Sequence, residues 1–433
     1  MKPSMVCASS GAGGQPGGGV IKENVPSLTG LRFIAALTVV VSHIFAMMVK
    51  VPGSGSILHT LLSVVGSLSG AGMTLFFVLS GFVIHMNYGH AMSTPTGLWN
   101  FFAARFARLY PLYLFFLCLD LSMKLGYHQF KLERLEALPY YLTLTQTWLY
   151  KTIDGNALVY QYGLVPAVSW SISTEWFFYL CFPVICLAMA LLRTPRALLI
   201  AIAAFCVAAF ALVTFVNLRA PQIAAYGVTQ FGPIAGESQD GIYRWLAYFS
   251  PYVRVLEFAL GCLASALLRV LPPSNERENR FGFWLMTGAI LGAAGLQYVM
   301  FGRTSTSALI VALHMNFGFA PFLAVIIFGC IRYNNVIVRV LSARPIVLAG
   351  EASYSIYLCH MVVINAFRYE VPAVTDHQIW AAVLPQISIT LAAIIGLSLV
   401  LWFLIEMPAR RIVRRWLTIS PRVRPDLQVA TTG

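Results

Sequence analysis

Charge is what this sequence has least of: of 433 residues, 10% are Asp, Glu, Lys or Arg, while 58% are apolar. Soluble domains carry roughly 25% charged residues, so a water-soluble globular protein is excluded, as are disordered and fibrous classes. Acidic residues are scarcest, 16 against 29 Lys and Arg, for a net charge of +13. In a soluble chain that excess would suggest nucleic acid as a partner; in a membrane protein the bias of Lys and Arg toward cytoplasmic loops accounts for it. Paired cysteine motifs are missing too. Seven of the eight cysteines (Cys118, Cys181, Cys186, Cys206, Cys262, Cys330 and Cys359) fall in apolar segments without CxxC or Cys/His spacing. Neither a disulfide framework nor a zinc or other metal site is expected. No Gly-rich loop of the Walker or dinucleotide kind occurs, which leaves nucleotide binding of that type unsupported. Residues 1–30 are rich in Gly and Ser and lack an apolar signal-peptide core. Their composition predicts a disordered tail.

What the chain has in abundance is apolar sequence, with a mean hydropathy of +0.75. Apolar runs lie near 31–49, 69–87, 108–123, 175–192, 197–217, 252–271, 282–301, 307–331, 346–366 and 380–405, ten in all. Their lengths predict an all-α, polytopic transmembrane helix bundle. The shorter aromatic stretch 136–150 contains Pro139 and Gln146 and reads as interfacial or re-entrant. An even number of spans puts both termini on one side, and with that side cytoplasmic 19 of the 29 Lys and Arg lie inside. Six of these are Arg410, Arg411, Arg414, Arg415, Arg422 and Arg424 near the C-terminus. An eleventh span at 136–150 would destroy this bias. The expected organisation is a disordered cytoplasmic tail over 1–25, a transmembrane domain over 26–415 and a basic cytoplasmic tail over 416–433. The loops 123–174 and 218–251 are expected outside, with no strand pattern, no attached soluble domain and no evident internal repeat.

A charged side chain inside a membrane costs at least a few kcal/mol, so each one asks for a partner or a function. Arg32 and His43 are eleven residues apart, about three helical turns and a rise of about 16 Å, which puts both on one face of the first helix. With the orientation above, His43, Asp120, Glu175, Arg254, Glu257, His314 and His360 fall in the outer half. Arg32, His85, Arg105, Arg108, Arg344 and Glu351 fall in the inner half. Polar clusters at two depths would let one compound enter from the cytoplasm and another from outside. Each residue also has a plainer explanation. Arg254 and Glu257, at i and i+3, can neutralise each other. Arg105 and Arg108 flank a span as topogenic arginines do. His314 reads as a hydrogen-bonded core histidine. The run Ser353, Tyr354, Ser355, Ile356, Tyr357, Leu358, Cys359, His360 carries too many hydroxyls for a lipid-facing helix, and suits a cavity lining or a packed polar interface.

Several of these stretches occur together in one known family. Arg32 and His43 have the Arg-x10-His spacing, Phe76–Phe82 reads FFVLSGF, Arg105–Pro111 reads RFARLYP, and Trp170, Ser171 and Glu175 form Trp-Ser-x3-Glu. With Arg254, Glu257, Phe258 and Gly261, the Ser353–His360 run, and Glu406 with Pro408, the chain resembles the membrane acyltransferase 3 family over about residues 26–415. The resemblance implies ten or so transmembrane helices in a bacterial inner (plasma) membrane. It also implies transfer of an acyl group, commonly acetyl, from cytoplasmic acyl-CoA to a hydroxyl of a cell-envelope or exported carbohydrate. Some relatives acylate small molecules such as macrolide sugars. Others carry an extracytoplasmic hydrolase-like domain after the last helix; this chain ends within about 30 residues of that helix, so no such domain is expected.

Moving an acyl group from a thioester to an alcohol needs a base, donors for the oxyanion and a clamp for the polyanionic donor. His43 is the expected general base, and Glu175 is expected to orient it or to bind the sugar. Arg32, Arg105 and Arg108 are expected to bind acyl-CoA, because guanidinium forks match phosphate oxygens. Trp170, Ser171, Ser353, Tyr354 and His360 are the expected acceptor-binding or oxyanion groups. The expected partners are membrane lipid, acyl-CoA as co-substrate and a carbohydrate or glycoside acceptor, without a metal or nucleic acid. A carbohydrate transporter or flippase would share ten helices and polar midplane residues, and would be favoured by repeat symmetry or matched broken helices. A structural membrane subunit would tolerate the loss of His43 or Glu175.

Overall fold

A computed structural model of the chain describes residues 25–48, 57–126, 131–161, 168–301, 313–314, 316–367 and 376–419. Most of the N-terminal tail, residues 420–433 of the C-terminal tail and the start of the segment expected at 307–331 lie outside these residues. The fold is a helix bundle. Its first half comprises α1 (Pro26–Met48), α2 (Ile57–Gly66), α3 (Ser69–Tyr88), α4 (Pro95–Gly126), the five-residue α5 (Leu138–Leu142), α6 (Trp170–Met189), α7 (Pro195–Leu218) and α8 (Ala220–Phe231). Its second half comprises α9 (Pro251–Val270), α10 (Glu276–Phe301), α11 (Ala320–Arg332), α12 (Val336–Leu341), α13 (Arg344–Glu351), α14 (Ser353–Ala366), α15 (Asp376–Leu401) and α16 (Met407–Leu417). Where helices start, the local sequence explains it. Thr194 caps α7 by accepting from the Ala197 amide at 3.2 Å, and Ser250 caps α9 by accepting from the Tyr252 amide at 3.3 Å. Each is followed by proline, whose missing N–H costs nothing at the first helical position.

Among the described residues seven helices are long and apolar enough to cross a membrane, and eight if α13 and α14, bent by 71°, form one broken span. Two of the ten expected segments fall outside this count. In 307–331 the apolar helix is the 13-residue α11. α9 carries Arg254, Glu257 and Arg269, and it tolerates them because protein surrounds it: Arg254, Glu257 and Ser265 are completely buried. α7 is its opposite, with the highest hydropathy and 11% of its apolar stretch buried, as a helix facing lipid requires. α3 and α9 cross in close contact. A Cβ on Gly81 would lie 1.9 Å from the Phe258 carbonyl oxygen, and one on Gly261 would lie 2.0 Å from that of Val78. Two glycines therefore let the backbones touch, as small residues do in membrane bundles.

The 136–150 segment does not span. It is a short 3-10 turn and α5, fastened to the bundle by Tyr113, whose hydroxyl donates to the Tyr141 carbonyl at 2.8 Å, and by Tyr141, which donates to the Leu158 carbonyl at 2.9 Å. The loop expected to lack strands contains a minimal hairpin, β1 (Thr152–Ile153) paired antiparallel with β2 (Asn156–Ala157). Strands of two residues leave no alternation for a sequence pattern to show.

Candidate active site

The site grows from arginines on three helices. Arg32 on α1, Arg105 and Arg108 on α4, and Arg410 and Arg414 on α16 line one polar cavity together with Tyr88, Glu351 and Glu406. Five guanidiniums there face two carboxylates, an arrangement suited to a multiply charged anion. Arg105, 8% exposed, donates to the Tyr88 hydroxyl at 3.2 Å, and its guanidinium lies 5.0 Å from the Tyr88 ring centre. Its buried Nε has no hydrogen-bond partner among the described residues. Glu406, at the end of the π-helical turn 402–406 that joins α15 to α16, accepts from Ser355 at 2.6 Å, which fastens that turn to α14.

A second, more apolar cavity adjoins the first. Both share Arg32, Val83, Arg105, Arg108, Ser353 and Tyr354, and the second runs on past Phe76, Phe77, Ser80, Ser171, Glu175 and Tyr357. Glu175 accepts there from Ser80 at 3.0 Å and from Tyr179 at 2.5 Å. Ser171 donates to the Tyr357 hydroxyl at 2.7 Å, and Tyr357 donates to the Val168 carbonyl at 3.0 Å. Tyr354 donates to the Leu109 carbonyl at 2.7 Å. Hydroxyls of α3, α6 and α14 thus converge on one space.

His43 and His360 form the third part. Nδ1 of His43 lies 3.0 Å from Nε2 of His360, and the two rings meet edge to edge in nearly one plane, with centroids 5.2 Å apart and planes 9° from parallel. Nδ1 of His360 lies 2.6 Å from the Tyr357 carbonyl oxygen. His360 is fully buried and His43 half-buried. Neither histidine lines the two cavities, but the Tyr357 ring, 5.8 Å from that of His360, is part of the inner cavity's wall.

The structure therefore brings together Arg32, Arg105, Arg108, Ser171, Glu175, Ser353 and Tyr354, and pairs His43 with His360. It corrects the expected depth of Glu175, which shares a cavity with the arginines of the opposite half. Its partner Ser80 sits mid-way along α3, so α6 delivers the carboxylate to the middle of the bundle. The hydrogen bonds described for Glu175 go to Ser80 and Tyr179, while the imidazole facing His43 Nδ1 is that of His360. Trp170 lines neither cavity. It packs against Phe77, Tyr248 and Phe249 at 5.2–6.0 Å, with the Arg254 guanidinium 5.8 Å from its ring. Arg254 and Glu257 form the expected i,i+3 pair at 2.9 Å with both side chains fully buried. Asp120 pairs with Lys124 at 2.9 Å, and His85 with Ser265 at 3.1 Å. At the end of α3 the Arg269 guanidinium, 2.5 Å from His90, holds that imidazole below the usual histidine range, aided by partial burial. Arg410, Arg414 and Tyr88 are cavity residues that sequence reasoning missed, whereas Tyr357 belongs to the hydroxyl-rich run read as a cavity lining or polar interface. The available signal was the i,i+4 spacing of Arg410 and Arg414 on one face of an amphipathic helix. Among the described residues no group of three or more His, Cys, Asp or Glu could hold a metal ion.

Comparison with known proteins gives this arrangement a family. A model of the acyltransferase domain matches residues 25–406. The chain belongs to the acyltransferase domain family. Acyltransferase MdmB of Streptomyces mycarofaciens is 30% identical over 251 residues, 57% of this chain and 58% of that protein. O-acetyltransferase OatA of Staphylococcus aureus is 23% identical over 356 residues, 78% of this chain and 50% of its own length. The chain thus spans between half and three-fifths of the length of these relatives. No solved structure matches the chain. Membership of this acyltransferase family, together with the apolar helices, makes the chain an integral membrane protein.

Proposed function

We propose that this chain is an O-acyltransferase of the bacterial inner membrane that moves an acyl group, acetyl in the first instance, from acyl-CoA to a hydroxyl of a cell-envelope or exported carbohydrate. The observation that carries this reading is that the two cavities adjoin and share the lining of Arg32, Val83, Arg105, Arg108, Ser353 and Tyr354. An arginine-lined cavity thus lies beside an apolar, hydroxyl-lined one whose wall includes Tyr357, in the turn that supports the His360–His43 pair. The arginine-lined cavity suits the phosphates of coenzyme A. Guanidiniums bind phosphate oxygens through paired, charge-assisted hydrogen bonds, so Arg32, Arg105 and Arg108 are assigned to the donor, joined by Arg410 and Arg414. The apolar passage along Phe76, Phe77 and Val83 suits the uncharged arm that carries the thioester. Ser171, Ser353 and Tyr354 hold the reacting end, and Glu175 offers a carboxylate to a sugar hydroxyl. With the termini cytoplasmic, as the Lys and Arg distribution favours, the donor enters from within and the acceptor reaches half-buried His43 from outside.

In the chemical step the acceptor oxygen attacks the thioester carbon while His43 takes its proton. The tetrahedral oxyanion collapses, the carbon–sulfur bond breaks, and the thiolate recovers the proton from His43, leaving an ester and free coenzyme A. The names of the relatives, an acyltransferase and an O-acetyltransferase, support the reaction class. The test is transfer of labelled acetyl from acetyl-CoA into the alkali-labile carbohydrate fraction of membranes containing the protein. Replacing His43→Ala should lower turnover by about 10²- to 10⁴-fold with coenzyme A affinity unchanged; full turnover would remove the proposed base. Cysteines introduced at residues 155 and 235 should react with an impermeant thiol reagent added outside cells, and labelling only after lysis would reverse the orientation.

A further inference from the structure

The contact between His43 and His360 says more than that two imidazoles touch. A carbonyl oxygen can only accept, so Nδ1 of His360, 2.6 Å from the Tyr357 carbonyl, carries a proton. A charged imidazole at this depth needs an acidic partner, whereas among the described residues the hydrogen-bond partners of His360 are backbone groups of Tyr357 and Ile356 and a second imidazole. His360 is then neutral, and a neutral imidazole with its proton on Nδ1 presents a lone pair at Nε2. The nitrogen facing that lone pair at 3.0 Å is Nδ1 of His43. For the contact to be a hydrogen bond, Nδ1 of His43 must carry the proton, and its Nε2 is left bare.

We infer that His360 is a positioning residue: anchored on the Tyr357 carbonyl, it holds His43 as the Nδ1–H tautomer, so that Nε2 of His43 is the nitrogen that takes the acceptor's proton. The inference rests on the reading of His43 as base and adds which atom acts and what fixes it. The logic is that of a carboxylate orienting a catalytic histidine, with a neutral imidazole and a backbone carbonyl in place of the charge. A neutral support suits a site inside the membrane, because no ion has to be buried. It also explains why His360 is completely buried while His43 is not: the first only faces protein, and the second must meet a substrate. As the proton arrives on Nε2, positive charge develops on His43, and the Nδ1–H bond to His360 strengthens.

Two measurements on the full-length chain test this. The first needs no substrate: histidine is labelled with 15N, the protein is placed in lipid nanodiscs, and ring nitrogens are assigned by comparison with His43→Ala and His360→Phe. His43 should show a protonated Nδ1 and a bare Nε2; the opposite pattern overturns the inference. The second measures acetyl transfer from acetyl-CoA into membrane carbohydrate. His360→Phe keeps the ring's bulk but removes the acceptor, and should lower turnover by about 10²- to 10⁴-fold with the apparent KM for acetyl-CoA within about twofold. His360→Gln returns an acceptor oxygen near the position of Nε2 and should recover at least about tenfold over His360→Phe. Equal losses in both variants, each eluting as a single species, would reduce His360 to a packing residue and overturn the inference. Inactive His43→Ala with fully active His360→Phe would refute the positioning role alone. Active His43→Ala would refute the base itself.

Discussion

Arg410 offers the sharpest separation between two views of the same residue. On sequence alone it is one of the arginines that keep the C-terminus cytoplasmic, and its removal should leave donor binding untouched. In the structure it lines the cavity of Arg32, Arg105 and Arg108. A hydrogen bond to a charged group is worth about 1.5–3 kcal/mol when well buried, or about 10- to 150-fold in Kd. Arg105 is 8% exposed and should fall in that range. Arg410 is only half-buried, so solvent screening lowers its share to about 1 kcal/mol, about fivefold. Arg414 is exposed, and its replacement should change the affinity by no more than about twofold. Calorimetric binding of unacylated coenzyme A to the full chain in nanodiscs would measure this order. Arg105→Gln should weaken binding most, Arg410→Gln clearly and Arg414→Gln least. The Arg410→Gln effect should shrink at high salt, because exposed charges are screened. Wild-type affinity in Arg410→Gln beside a weakened Arg105→Gln would return α16 to a topogenic role. Wild-type affinity in both would remove the donor cavity altogether.

Two further predictions concern the frame of the site. Removing one member of the buried Arg254–Glu257 pair, as Arg254→Met or Glu257→Leu, should cost about 3–5 kcal/mol because the other charge is stranded. The double variant should cost less, about 1–3 kcal/mol, since the Thr74 hydroxyl and Phe317 amide that donate to Glu257 at 2.8 and 3.1 Å lose their acceptor. Thermal unfolding in detergent would rank the three proteins, and single variants no worse than the double would contradict the pairing. Gly81→Ala should force α3 from α9, because its methyl would sit 1.9 Å from a backbone oxygen; a loss of about 3 kcal/mol is expected. An unchanged melting temperature would show that the crossing can slide apart at no cost.

The class of the molecule was legible in the sequence because it depends on composition: few charges and long apolar runs leave a membrane bundle as the one way to satisfy the backbone. The i,i+3 pairing of Arg254 with Glu257 was legible because helical geometry alone sets it. The arginines of α1 and α4 that line the polar cavity stood out in the sequence through motifs. Span counting was less secure where burial replaces lipid, and α9 shows why: its charges look unsuited to a bilayer until the surrounding helices are known.

Partnership was decided only by packing. His43 and His360 are 317 positions apart, and nothing in either neighbourhood says which nitrogen meets which. Sequence reasoning left Glu175 either to orient His43 or to bind the sugar, and α6 carries that carboxylate to Ser80 and into the cavity it shares with the arginines. Arg410 and Arg414 read as topogenic until α16 folds back against α4, where Trp99 donates to the Leu417 carbonyl at 2.7 Å and turns part of a basic helix into a cavity wall. Composition and periodicity determine which residues are costly to place in a membrane. Helix packing determines where each of them points, and the chemistry of the site depends on that direction.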